Sequence, residues 1–109
     1  MLRDRPRLVA HCAIETLSVL TRLPGAQRSR PGDVVAFLDD QFPEPPLLLS
    51  PVEHGALPGR LADLGVVGGA VYDGLIAMTA AAHAEPLVSL DVRATETYRR
   101  CGVEHRLLA

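Results

Sequence analysis

The sequence has no lysine and no tryptophan, and only two Tyr and two Phe stand among its 109 residues. With so few aromatic residues, the core must consist mainly of Leu, Val and Ala. The eleven basic residues are all Arg, thirteen residues are acidic, and the formal net charge is −2. A generally basic surface is therefore excluded, so that any contact with nucleic acid would need a local patch of arginines.

Cysteine is also scarce, and a long apolar run is absent. The two cysteines, Cys12 and Cys101, have no CxxC spacing, which is typical of a reducing cytoplasm and not of a disulfide scaffold. The four histidines are scattered and form no zinc motif. No stretch reaches the roughly 18 apolar residues that a membrane span needs, and the charged N-terminus is unlike a signal peptide. We therefore expect a cytoplasmic protein without a membrane segment.

Apolar patterns and turn residues predict strands that alternate with helices. Ser50 and Glu53 have the spacing of a capping box at a helix start, and Pro58 predicts a kink or a break in that helix. The alternation indicates one α/β domain over 1–109 with a mainly parallel sheet. The predicted strands are 7–11, 47–49, 86–90 and "VEHRLL", and the predicted helices are about 12–23, 31–42, 51–64, 70–84 and 93–102.

Three carboxylates, Glu15, Asp73 and Asp91, stand at the starts of elements beside apolar runs. Asp91 directly follows a predicted strand and Glu15 comes soon after one, where sites form in open α/β sheets. Clustered carboxylates suit Mg²⁺, and such ions can activate water for phosphodiester cleavage. A purely structural interpretation is equally open from spacing alone. Glu15 and Asp73 favour a helix dipole, and Asp91 suits an N-cap.

Two blocks of sequence resemble PIN-domain proteins of the VapC type, which are ribonucleases of bacterial toxin–antitoxin pairs. The blocks are "AIETLSVLTRLPG" (13–25) and "GGAVYDGLIAMTAAAHAEPLVSLDVRATETYRRCGV" (68–103). The resemblance implies a PIN-like three-layer α/β fold and an endoribonuclease of a type II toxin–antitoxin system. It further implies that Glu15, Asp73 and Asp91 hold Mg²⁺ or Mn²⁺, which activates the water that hydrolyses RNA.

The resemblance also implies partners. A cognate antitoxin would neutralise the enzyme, and the chain would form a homodimer. Arg22, Arg28 and Arg93 are candidates for contact with RNA phosphates, although exposed arginines that only keep the protein soluble explain the same pattern. Arg93 stands two residues after Asp91, where some members of the family carry a further acidic residue.

One departure from the family pattern concerns the N-terminus. The family begins with a strand that ends in an aspartate, whereas only fourteen residues precede Glu15 here. Asp4 cannot replace this aspartate because it lies before the predicted strand 7–11. We expect an N-terminally truncated domain without its central first strand and first helix, poorly stable and weakly active. The alternative is an inactive PIN-like remnant with at most a partner-binding role.

Overall fold

The computed structural model describes residues 7–84, 87–89, 94–103 and 105–107. The chain divides into two compact units, Met1–Leu47 and Leu48–Ala109, and each is described by itself. The prediction of one domain over 1–109 stays a prediction. The regular elements of the described residues are α1 (Ala10–Thr21), a 3-10 helix (Gly25–Gln27), α2 (Pro31–Gln41), α3 (Pro51–Asp63), α4 (Ala70–Ala82), β1 (Leu87–Ser89), α5 (Thr95–Arg100) and β2 (His105–Leu107).

The first unit is built around helices α1 and α2. After α1, Gly25 takes a φ of 60°, a conformation in which a side chain would be strained. Helix α2 begins with Pro31 in its first position, where the missing N–H costs nothing. Only Val9, Val34 and Leu47 are buried among the described residues of this unit, and α1 contains no buried residue.

The predicted α/β fold with a mainly parallel sheet, PIN-like and three-layered, is wrong for the described residues. Helices account for most of them, and the only sheet there pairs two three-residue strands, β1 and β2, in parallel. The strands predicted at 7–11 and 47–49 reduce to one isolated bridge between Val9 and Leu47.

Proline explains why this bridge does not grow into a ladder. Leu47 donates to the oxygen of Leu8 and accepts from the N–H of Ala10, both at 2.9 Å. Pro45 and Pro46 on one side of Leu47 have no N–H to offer. On the other side, the Leu49 N–H would have to bond to the Ala10 carbonyl, but Ala10 is already the first residue of α1. Pairing therefore stops after a single residue, and the chain turns into α1 directly at Ala10.

The predicted capping box at the start of α3 is confirmed. The Ser50 Oγ accepts from the Glu53 N–H at 3.1 Å, and the Ser50 N–H donates to the Glu53 Oε1 at 3.0 Å. The helix is not broken at Pro58 but continues to Asp63. Pro58 and His54 are both exposed, so water can bond to the His54 carbonyl that Pro58 leaves without a partner.

The capping box makes stability depend on pH. The hydrogen bond from the Ser50 N–H, and to a smaller extent the interaction with the Ser50 side chain, lower the pKa of Glu53 below its ordinary value of 4.5. Because the pKa of Glu53 is lower in the folded than in the unfolded chain, this contribution to stability is present above pH 4.5. It is lost as the pH falls through the folded pKa.

We expect Glu53→Gln to melt at a lower temperature than the unsubstituted chain at neutral pH. The difference should shrink in thermal melts below pH 4.5, and a constant difference at every pH would contradict the prediction.

The second unit has its core between α3 and α4. Leu57, Leu61, Val66 and Met78 form a buried cluster. Helix α4 buries six residues, namely Gly74, Ile76, Ala77, Met78, Thr79 and Ala80. Gly74 brings the two helices close together, since a Cβ at this position would lie 2.7 Å from the Leu61 Cδ2.

Arg100 connects helix α5 to the end of α3. Its Nη1 donates to the carbonyl oxygens of Leu64 and Gly65, both at 3.3 Å, and its Nε donates to Glu96 at 3.2 Å. These carbonyls follow the last turn of α3, where cationic side chains are favourable. The longest described helices have 13 residues, and none is both long and apolar enough to cross a membrane.

Candidate functional site

Glu15 lies in the middle of α1, and its side chain is 52% exposed. Its Oε2 is 3.6 Å from the Nε2 of His11, one helical turn earlier. The side chain of His11 is more enclosed, at 26% exposure. Glu15 therefore presents a carboxylate that is open to solvent on one side and flanked by an imidazole on the other.

Asp73 lies in the first turn of α4, as predicted. It is half-buried, and it stands directly before Gly74, the residue at which α4 approaches α3. A carboxylate in the first turn interacts favourably with the positive end of the helix dipole. Asp73 is thus held on a packed helix, a rigid support for a ligand or catalytic group.

The predicted set of three carboxylates stays a prediction. Asp91 and Arg93 lie outside the described residues, Glu15 belongs to the first unit and Asp73 to the second. Within the described ranges, no group of three or more His, Cys, Asp or Glu side chains could hold a metal ion. The chemistry of the predicted donors fits the proposed ion, since carboxylate oxygens are the ligands that Mg²⁺ and Mn²⁺ prefer.

Arg22 and Arg28 lie on the segment between α1 and α2, and both are exposed. The Arg22 Nη1 donates to the Ser18 Oγ at 3.3 Å, and the Arg28 Nε donates to the Leu23 carbonyl at 2.9 Å. Residues 22–30 contain three arginines and no acidic residue. The three arginines are thus close in sequence, in a segment where no acidic residue offsets their charge.

The described residues of the second unit also line cavities, and two of them bear on the site. One has a volume of about 380 Å³ and lies between α3 and α4, among apolar side chains that include Leu61, Val71 and Leu75. The other, about 240 Å³, is lined in part by Arg60 and Cys101. Burial raises the pKa of the Cys101 thiol, and Arg60 offsets part of this shift. The thiol therefore stays protonated at neutral pH, which is unlike a nucleophile.

Sequence reasoning missed His11 as a neighbour of Glu15. The signal that could have found it is the H-x-x-x-E spacing, because residues four apart lie on the same face of a helix. The histidines were considered only as zinc ligands, and none of them lies at zinc-motif spacing. The contact with Glu15 becomes visible once α1 is seen to include both residues.

Comparison with known proteins finds two similar ribonucleases from Mycobacterium tuberculosis. The chain is 45% identical over 101 residues to Ribonuclease VapC40 of Mycobacterium tuberculosis, in strain H37Rv as in strain CDC 1551. That match covers 93% of this chain and 75% of the relative. Ribonuclease VapC27 of Mycobacterium tuberculosis H37Rv is 46% identical over 97 residues, which are 88% of this chain and 69% of the relative. No protein-family model and no solved structure matches.

Proposed function

Because the chain belongs to the family of VapC ribonucleases, we propose that it is an endoribonuclease, the toxin of a type II toxin–antitoxin pair. The observation that carries this proposal is the 45% identity over 93% of the chain to a protein named as a ribonuclease. The matched region covers 101 of 109 residues and therefore extends over the positions of Glu15 and Asp73. The reaction would be hydrolysis of an RNA phosphodiester bond, in which water attacks phosphorus and one ribose oxygen leaves.

We assign the binding of a divalent cation, Mg²⁺ or Mn²⁺, to Glu15, Asp73 and Asp91. When bound, the ion would supply the positive charge that lowers the pKa of water and offsets charge on the phosphodiester. The carboxylates themselves have two tasks. They must supply oxygen ligands to the ion, and they must be held close together, which like charges resist unless a cation lies between them.

Arginine side chains are the proposed contacts for the RNA backbone. A guanidinium can donate two parallel hydrogen bonds to a phosphate, which Lys cannot do. Arg22 and Arg28 are exposed and lie in a segment free of acidic residues, and we include Arg93 on the basis of its place two residues after Asp91. A cognate antitoxin and a second copy of the chain complete the proposed set of partners.

Removal of metal tests the proposal directly. Purified chain incubated with total bacterial RNA and Mg²⁺ should produce discrete fragments. Excess EDTA should reduce cleavage to the background of a blank purification, because the carboxylates alone supply no positive charge. Addition of Mn²⁺ in excess over EDTA should restore the same fragments on a denaturing gel.

Two outcomes would contradict this proposal in different ways. Cleavage that persists in EDTA would show that the activity needs no divalent ion. A folded chain that cuts no RNA with either Mg²⁺ or Mn²⁺ would instead favour an inactive PIN-like remnant that only binds a partner. Circular dichroism on the same sample distinguishes the second outcome from a failure to fold.

A further inference from the structure

The contact between His11 and Glu15 joins two side chains of unequal exposure on α1. The Nε2 of His11 lies 3.6 Å from the Oε2 of Glu15, within ion-pair range. The imidazole is half as exposed as the carboxylate, at 26% against 52%. The histidine is therefore the better-anchored member of the pair, and the glutamate is the member whose oxygens reach solvent.

The Glu15 carboxylate has few other restraints. Within the part of the chain that the structure describes, His11 is its only ion-pair or hydrogen-bond partner. A glutamate side chain has three rotatable bonds, and their freedom is lost when its oxygens bind an ion. A neighbour that already limits this freedom reduces the loss, and groups that orient a ligand in this way typically change metal affinity 10–100-fold.

We propose that His11 is a positioning residue that holds the Glu15 carboxylate in the orientation in which it binds a divalent cation. This inference rests on the proposed function, because it requires Glu15 to be a ligand. It adds to that function a residue outside the set of carboxylates. His11 itself contacts the carboxylate and not the ion.

A merely structural role for the pair makes a different prediction. Residues one turn apart also support the helix on which they lie. In that case, loss of His11 would lower the melting temperature and leave the metal affinity of the folded chain unchanged.

The test is a titration of the full chain with Mn²⁺ at one fixed pH, with free Mn²⁺ measured by electron paramagnetic resonance. We expect His11→Ala to weaken Mn²⁺ binding about tenfold. His11→Gln should recover most of the affinity, since its side-chain amide can reach the Glu15 carboxylate from one turn away. In a Glu15→Gln background, His11→Ala should cause no further loss, because a double-mutant cycle isolates the interaction between the two side chains.

A matched control breaks a similar pair elsewhere. Glu96 and Arg100 are also four residues apart on a helix, at 3.2 Å, and Glu96→Ala should leave the Mn²⁺ affinity unchanged. Equal affinity of His11→Ala and the unsubstituted chain, with Glu15→Gln impaired, would overturn the role of His11 alone. Absence of Mn²⁺ binding by the unsubstituted chain would overturn this role together with the proposed metal site.

Discussion

Asp73→Asn should reduce Mg²⁺-dependent RNA cleavage by at least about 100-fold. The substitution keeps the size of the side chain. It removes the negative charge that attracts the cation. Loss of a group that only orients a metal ligand typically lowers metal affinity or activity about 10–100-fold. Loss of a ligand itself should lower the activity by at least as much. The measurement is the initial rate of fragment formation at saturating Mg²⁺.

Stability provides the control for this result. Asp73 interacts with the dipole of α4, so Asn in its place should cost less than about 1 kcal/mol of unfolding free energy. Asp63→Asn, at the exposed end of α3, should leave the cleavage rate unchanged. The assignment of Asp73 fails if Asp73→Asn cleaves RNA at the rate of Asp63→Asn.

Leu61→Ala should have the largest effect on stability, a loss of about 3 kcal/mol of unfolding free energy. Leu61 is 2% exposed and belongs to the buried cluster between α3 and α4. Truncation removes buried methyl groups and leaves a space that the two helices can only partly close. Denaturation by urea, followed by circular dichroism, measures the loss as a lower transition midpoint.

Glycine substitutions test the geometry of the same contact. In the unsubstituted chain, Gly74→Ala places a methyl group 2.7 Å from the Leu61 Cδ2, and such overpacking costs about 1–3 kcal/mol. In the Leu61→Ala background, Gly74→Ala should instead stabilise the chain, because its methyl group enters the vacated space. Gly55→Ala is the matched control. No atom lies within 4 Å of its added methyl group, so it should stabilise α3 by about 1 kcal/mol.

Local signals in the sequence predicted the helices well. The capping box at Ser50 and the proline at the start of α2 depend on hydrogen bonds and torsions within one turn, which the residue order determines. Pairing of strands depends on distant segments. The apolar run 47–49 resembled a strand, but Pro45 and Pro46 before it have no N–H to donate, and the segment opposite it becomes helical at Ala10, so pairing is limited to Leu47. The extent of the sheet was therefore overestimated.

The candidate site was predictable to a smaller degree. The helix pattern predicted Asp73 in the first turn of α4, and the structure agrees. The pattern also placed Glu15 near the start of its helix, and this was wrong because α1 begins at Ala10 and Glu15 lies in its middle. Their assignment as metal ligands came from resemblance to a family, because a carboxylate near a helix start has a structural explanation as well. No pattern in the sequence indicates which carboxylates from distant segments meet in space.

The hydrogen bonds of Arg100 have a consequence for local unfolding. They join α5 to carbonyls that lie 35 and 36 residues earlier in the chain. The end of α3 cannot fray without breaking them, and α5 cannot detach while they remain. Protection of amides against hydrogen exchange should therefore be shared between these two helix ends, which would open as one cooperative segment although they are distant in sequence.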